Sequence, residues 1–210
     1  MPKMMEDKIK LGLNLPVAEE FYSLQGEGLN AGNAAYFIRL AGCDVNCKWC
    51  DSKNTWNVGN FPVKNIEEIA RGAASTPCHN VVITGGEPLM YNLDPLCELL
   101  EKQCLSVWLE TSGSHPLSGN FDWICVSPKP NKPPLDEVLE LANELKMVIS
   151  TEKDFETAEF YAGKVSAECA LLLQAEWDNS KEVNKMIFDY ILKHPIWKIS
   201  IQAHKILNIR

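Results

Sequence analysis

Apolar residues in this chain gather into short runs, and polar turns or amphipathic stretches separate them. Residues 34–40 (AAYFIRL) read as a buried strand whose one charge, Arg39, lies near its end. Residues 80–84 (NVVIT), 105–110, 122–126, 146–150, 167–173 and 197–201 repeat that pattern. Between them lie helical stretches. One spans 65–72, with Asn65 placed to cap it, Glu68 three residues on as in a capping box, and Ile66, Ile69 and Ala70 as its inner stripe. A second starts at Asp94, with Pro95 in the first turn, where a missing N–H costs nothing. Others cover 135–145 and 154–162. The helix over 181–193 has the clearest pattern, with Val183, Met186, Ile187, Tyr190 and Ile191 on one face. Strands alternating with helices predict an α/β fold with a mainly parallel sheet of about six or seven strands, an incomplete β/α barrel.

Length and charge narrow the picture. A chain of 210 residues suits one domain with a substantial core, expected over 14–210 behind a polar lead-in at 1–13. The proline-rich stretch 129–134 reads as a stiff loop, because strands resume beyond it. A net charge of −8 argues against a nucleic-acid surface. No apolar run is long enough for a bilayer, and the charged opening residues are no signal peptide. The expectation is a cytoplasmic protein with reduced cysteines.

The unusual residues sit where strands end, the edge at which parallel sheets and barrels bind ligands. After the first strand come Cys43, Cys47 and Cys50, three thiols within eight residues. Three thiolates on one loop can hold three irons of a 4Fe–4S cluster and leave the fourth open to a small molecule. A structural zinc site wants a fourth ligand in a second knuckle, and the remaining cysteines are scattered singly through mostly apolar runs. A disulfide framework does not suit a chain of this size without a secretory signal. Other strand ends carry Thr84-Gly85-Gly86-Glu87-Pro88, Glu110-Thr111-Ser112, Ser127-Pro128-Lys129 and Gln174. The segment Leu24-Gln25-Gly26-Glu27-Gly28, taken alone, reads as an ordinary turn.

The C-x3-C-x2-C spacing, with Trp49 just before the last cysteine, resembles the signature of radical S-adenosylmethionine (SAM) enzymes. The resemblance implies that SAM binds the open iron and is cleaved to a 5′-deoxyadenosyl radical. It implies SAM contacts from Gly85 and Gly86, whose lack of a side chain permits close approach. Glu110, Ser112, Ser127, Pro128, Lys129 and Gln174 are further SAM candidates, with Trp49, Cys50 and Asp51 beside the adenosine.

The ordered set LQGEG, FIRLAGC, CDSKNTW, ITGGEP, SPKP and QAHKILNI resembles, more narrowly, the 7-carboxy-7-deazaguanine synthase family, from about residue 20 to the end. That family converts 6-carboxy-5,6,7,8-tetrahydropterin to 7-carboxy-7-deazaguanine in queuosine and deazapurine biosynthesis. The resemblance implies hydrogen abstraction at C6, ring contraction, loss of ammonia and regeneration of SAM. Leu24, Gln25, Gly26, Glu27, Arg39, Thr84, His204 and Arg210 would meet the substrate, and the Ser52 hydroxyl would meet Mg2+. A homodimer and an external one-electron reductant, such as a flavodoxin or ferredoxin, are also implied. Two departures stand out. Many members carry threonine where this chain has Ser52, and other members often end in a small residue or proline rather than Arg210. Rival readings are a radical SAM activase acting on a partner's glycine and an iron–sulfur electron carrier. The carrier would normally need a fourth cysteine ligand.

Overall fold

The computed structural model describes residues 3–209. Nine strands form one sheet in the order β3-β1-β2-β4-β5-β6-β7-β8-β9. Seven of them run parallel: β2 (Ala34–Leu40), β4 (Asn80–Gly85), β5 (Ser106–Thr111), β6 (Trp123–Val126), β7 (Glu144–Ile149), β8 (Ala170–Ala175) and β9 (Trp197–Ser200). Two antiparallel strands, β1 (Asn14–Leu24) and β3 (Val63–Asn65), extend the β2 edge. Among the described residues β3 and β9 do not pair with each other, so the sheet is open, and the expected incomplete barrel is what forms.

Side chains alternate between the two faces of each strand. One face packs against the helices. There Ile38, Leu40, Val81, Ile83, Leu109, Leu145, Ile149, Leu173 and Trp197 form the main core. The helices α2 (Ile66–Ala74), α3 (Asp94–Lys102), α5 (Lys153–Ala162) and α6 (Ser180–Ile191) cover it with their apolar stripes. On α6 Val183 and Ile187 are buried, and Met186, Tyr190 and Ile191 pack beside them, as the spacing predicted. The other face carries a small apolar floor of Ala35, Phe37 and Val82, with Phe21 stacked on Phe37 at 4.8 Å.

Several predicted elements need correction. The helix expected over 135–145 is only α4 (Asp136–Leu139), and β7 begins at Glu144 rather than Lys146. Asn143 causes the switch: its N–H and carbonyl oxygen bond to Ile124 O and Ala170 N, and its side chain accepts from Ile124 N at 2.8 Å. The chain is thereby pulled between β6 and β8. Strands β1 and β3 went unpredicted, as did the short turns inside 51–62. The lead-in holds a helix, α1 (Lys3–Lys10). Asn65 caps α2 by accepting from Glu67 N at 2.8 Å, but Glu68 does not close a capping box; its carboxylate lies 3.7 Å from Lys64.

Candidate active site

A cavity of about 410 Å3 lies over the helix-free face at the C-terminal ends of the parallel strands. Its wall includes Cys43, Cys47, Trp49, Cys50, Asp51, Ser52, Gly85, Gly86, Glu110, Ser112, Ser127, Lys129 and Gln174. Leu24, Gln25, Gly26, Glu27, Arg39, Thr84 and His204 line it too. Pro128 is buried and is not among the lining residues. Arg210 lies outside the described residues.

The cysteine loop has no regular structure, so contacts from elsewhere hold it. Asp44 accepts from Lys132 at 2.5 Å and lies 3.1 Å from His115, which ties the loop to those following β6 and β5. Asn131 donates to Asn46 O at 2.7 Å. On the inner side, Glu87 N donates to Gly42 O at 2.9 Å. A Cβ on Gly86 would stand 2.1 Å from Gly42 O and 2.8 Å from Cys43 Cβ. The glycine motif and the cysteine loop thus pack backbone to backbone, which only glycine allows.

The three thiols fit an iron–sulfur cluster. All face the cavity, and they are close enough that charge on one would disfavour ionisation of another. Among the described residues no three cysteine, histidine or carboxylate side chains converge on a single ion. A cubane needs its thiolates spread, one to each iron. Burial pushes the Cys43 and Cys47 thiols up, and Lys129 draws Cys47 back down. Lys129 lies 5.2 Å from the centre of the Trp49 ring and donates to Ser127 O at 2.8 Å and to Ser127 Oγ. Burial lowers its own pKa.

Glu87 ties two walls together. It is 1% exposed and accepts from Ser112 N at 2.8 Å, Leu89 N at 3.1 Å and the Thr111 and Ser112 hydroxyls. Across the cavity, Ser52 Oγ donates to Asp51 Oδ1 at 3.1 Å and lies 3.5 Å from Arg39. Arg39 Nε lies 3.2 Å from Glu19, close enough for an ion pair although its N–H makes no hydrogen bond there. Burial works to raise the Asp51 pKa, but Lys205, 2.8 Å away, outweighs it and holds the carboxyl low.

The segment after β1 enters from the open side. Gln25 donates to Glu110 at 3.1 Å and accepts from Glu27 N at 3.2 Å. Gly28 has φ +72°, and a Cβ there would meet Glu144 Oε1 at 2.2 Å, so this turn is fitted to the floor of the site. Burial pushes the Glu27 carboxyl up, yet the Lys146 charge and hydrogen bonds from Lys146 and Gln202 outweigh it and lower its pKa to about 2. Burial also lowers His204, with Glu27 pulling the other way.

Residues 37–150 match the radical SAM superfamily. A Synechocystis protein named 7-carboxy-7-deazaguanine synthase is 51% identical over 95% of this chain and 96% of its own length. The chain belongs to the 7-carboxy-7-deazaguanine synthase family. Its relative from Escherichia coli K12, with the same name, is 34% identical over 94% of this chain and all of its own. The crystal structure of QueE from Escherichia coli superposes with a TM-score of 0.82 at 29% identity, covering 97% of this chain and 100% of that one. Radical SAM membership implies a 4Fe–4S cluster and SAM. Belonging to this family of enzymes sets aside the activase and electron-carrier readings.

Within this cavity, sequence reasoning missed Lys146, Glu87, Trp177, Gln202 and Lys205, all of which line it. Lys146 had a signal, a lysine inside the otherwise apolar run LKMVI. Trp177, Gln202 and Lys205 stood near noted strand ends, and Lys205 caps the Trp177 ring at 4.9 Å.

Proposed function

We propose that this chain converts 6-carboxy-5,6,7,8-tetrahydropterin to 7-carboxy-7-deazaguanine with loss of ammonia. The observation that carries this reading is one cavity lined both by the three cysteines and by the acid- and amide-rich Gln25 to Glu27 segment. Cys43, Cys47 and Cys50 would hold the cluster. When bound, the cluster and SAM supply a 5′-deoxyadenosyl radical able to take the hydrogen at C6. Gly85, Gly86, Glu110, Ser112, Ser127, Lys129 and Gln174 would orient SAM, with Trp49 and Asp51 beside its adenosine. Leu24, Gln25, Gly26, Glu27, Thr84 and His204 would seat the pterin, with Arg39 as a guanidinium partner for a carboxylate or the polar ring edge. Ser52, beside the Asp51 carboxylate, supplies the kind of oxygen donor Mg2+ takes, and this ion would meet the substrate carboxylate. Arg210 is a further candidate to meet the substrate.

A single domain over 14–210, a homodimer, a cytoplasmic location and a flavodoxin- or ferredoxin-class reductant complete the proposal. No helix among the described residues is long and apolar enough to cross a membrane. The test is anaerobic: protein reconstituted with iron and sulfide is given dithionite, SAM, Mg2+ and the carboxytetrahydropterin. Formation of 7-carboxy-7-deazaguanine and ammonia is expected, without net loss of SAM. SAM cleavage with no pterin-derived product would overturn the reading.

A further inference from the structure

Charge on the cavity floor is balanced by one residue that none of the motifs contains. Lys146 stands on the inner face of β7, its side chain 5% exposed. Its ammonium lies 2.7 Å from Glu27 Oε2 and 2.8 Å from Glu110 Oε2. The remaining oxygens of that pair are also held. Gln202 donates to Glu27 Oε1 at 2.8 Å, and Gln25 donates to Glu110 Oε1 at 3.1 Å. A third carboxylate, Glu144, lies two residues earlier on the same face, accepts from Leu29 N at 3.0 Å and is 3.4 Å from Cys125 Sγ.

A carboxylate oxygen accepts two hydrogen bonds. Both oxygens of Glu27 therefore keep acceptor capacity after their protein donors are counted, Glu110 keeps some beside a further bond from the Cys125 thiol, and both residues line the cavity. Two anionic acceptors fixed side by side match a ligand edge rich in N–H donors. Without a cation between them, two adjacent carboxylates cannot both stay ionised, and one takes up a proton.

The geometry points to Lys146 as a positioning residue: it keeps Glu27 and Glu110 together as a pair of anionic acceptors aimed at an N–H-rich ligand edge, such as the amino and ring N–H groups of a pterin. The pterin arm rests on the proposed function; the claim about the carboxylates does not. Facing Lys146 are Glu27, Glu110 from β5, Cys125 from β6 and Glu144 from β7, with Lys129 beyond them; Glu27 also meets His204 after β9 and Asp51, and Arg39 lies farther round the wall beside His204. Lys146 is the cation in contact with both carboxylates.

The test compares the holoenzyme with Lys146→Met, Lys146→Arg and Lys146→Met/Glu110→Gln. In Lys146→Met, KM for the carboxytetrahydropterin should rise about ten- to a hundredfold, the scale of one lost hydrogen bond to a charged group. The change in kcat should be much smaller, and iron content should match the parent. The rise in KM should steepen as pH falls from 8 to 6, because the newly protonated carboxyl loses its charge and turns one of its oxygens into a donor. The double variant, left with one carboxylate beside an uncharged amide, should show a KM that no longer varies between pH 8 and 6, and Lys146→Arg should keep the parent's affinity. Infrared spectra of protein carrying 13C-labelled glutamate read the carboxyls without substrate. A protonated carboxyl band should appear at pH 7 in Lys146→Met and vanish in the double variant. If Lys146→Met does not fold, Lys146→Gln and Lys146→Arg carry the same comparison: a protonated carboxyl band is expected in Lys146→Gln and not in Lys146→Arg, and equal bands, or none, in both refute the role. A parent that binds no pterin would overturn the proposed function, while the carboxyl band would still support Lys146 as the residue that keeps the pair ionised. Lys146→Met with parental KM at every pH and no carboxyl band would overturn the inference.

Discussion

Replacing Glu87 should cost several kcal/mol of stability, about 3–6 for alanine, and the structure sets the size of the effect. Its carboxylate is buried and accepts four hydrogen bonds, two on each oxygen. In Glu87→Ala the two hydroxyls can turn elsewhere; Ser112 Oγ already has Ser114 Oγ at 2.9 Å. The N–H groups of Leu89 and Ser112 cannot turn. Each is left without its acceptor, at about 1–3 kcal/mol apiece, and the lost packing of the side chain adds to this. A total of about 3–6 kcal/mol follows, a fall in Tm on the order of 10 °C for a chain of this size.

Glu87→Gln separates charge from shape. One backbone N–H points at each oxygen, so the amide NH2 must face one of them whichever way it is turned. One acceptor is lost, and about 1–3 kcal/mol is expected, clearly less than for alanine. Urea unfolding of anaerobically purified protein, matched for iron content, measures both variants. SAM affinity should fall along with stability, because the same carboxylate anchors Ser112, one of the residues proposed to orient SAM. Glu87→Ala within about 0.5 kcal/mol of the parent, the scatter of neutral surface changes, would refute the reasoning.

The remaining predictions are briefer. Cys43→Ala, Cys47→Ala or Cys50→Ala should each lose the brown colour, about four irons per chain and SAM cleavage, checked by iron assay and 5′-deoxyadenosine yield. Ser52→Ala should weaken the magnesium response of turnover while leaving the cluster spectrum unchanged, and Ser52→Thr should retain it; an unaltered magnesium dependence in Ser52→Ala would remove that ligand. Because the Glu27 pKa is lowered from 4.5 to about 2, its stabilising effect is present above pH 4.5 and lost as pH falls through about 2. Urea unfolding of the cluster-free parent and Glu27→Gln should therefore differ most near neutrality, by about 2–3 kcal/mol, and converge toward pH 2. Asp44→Asn should leave Tm nearly unchanged but speed proteolysis within residues 43–50, since Lys132 and His115 lose their hold on that loop.

What the sequence disclosed was position along the chain. The seven parallel strands could be read because each is a short apolar run with a polar break, and cavity-lining residues such as Ser112, Lys129 and Gln174 could be picked out because they stand at the ends of those runs. Strand β1 escaped because Pro16 and the pair Glu19-Glu20 interrupt its alternation, and its pairing to β2 and β3 is what makes it a strand. Glu144 escaped because the stretch before it has good helical composition; only the Asn143 contacts to Ile124 and Ala170 show that the chain has already entered the sheet.

Lys146 shows where such reading could have gone further. In residues 144–149 (ELKMVI), Leu145, Met147 and Ile149 alternate with Glu144, Lys146 and Val148. Period two puts Leu145, Met147 and Ile149 on one face, and in a sheet covered by helices that face is the core. Glu144 and Lys146 must then point away from the helices. A partial barrel holds its ligand there, so a charge inside a strand, on that face, belongs to the site even though it precedes the strand's end. The counter-ion is a different matter. Glu27 stands 119 residues earlier in sequence, after a strand that is antiparallel to its neighbour, and no local pattern couples the two. A buried lysine announces that a carboxylate must be near; which one is settled by the register of the sheet, where Glu110, Cys125 and Glu144 fall side by side across β5, β6 and β7 and the segment after β1 closes over them.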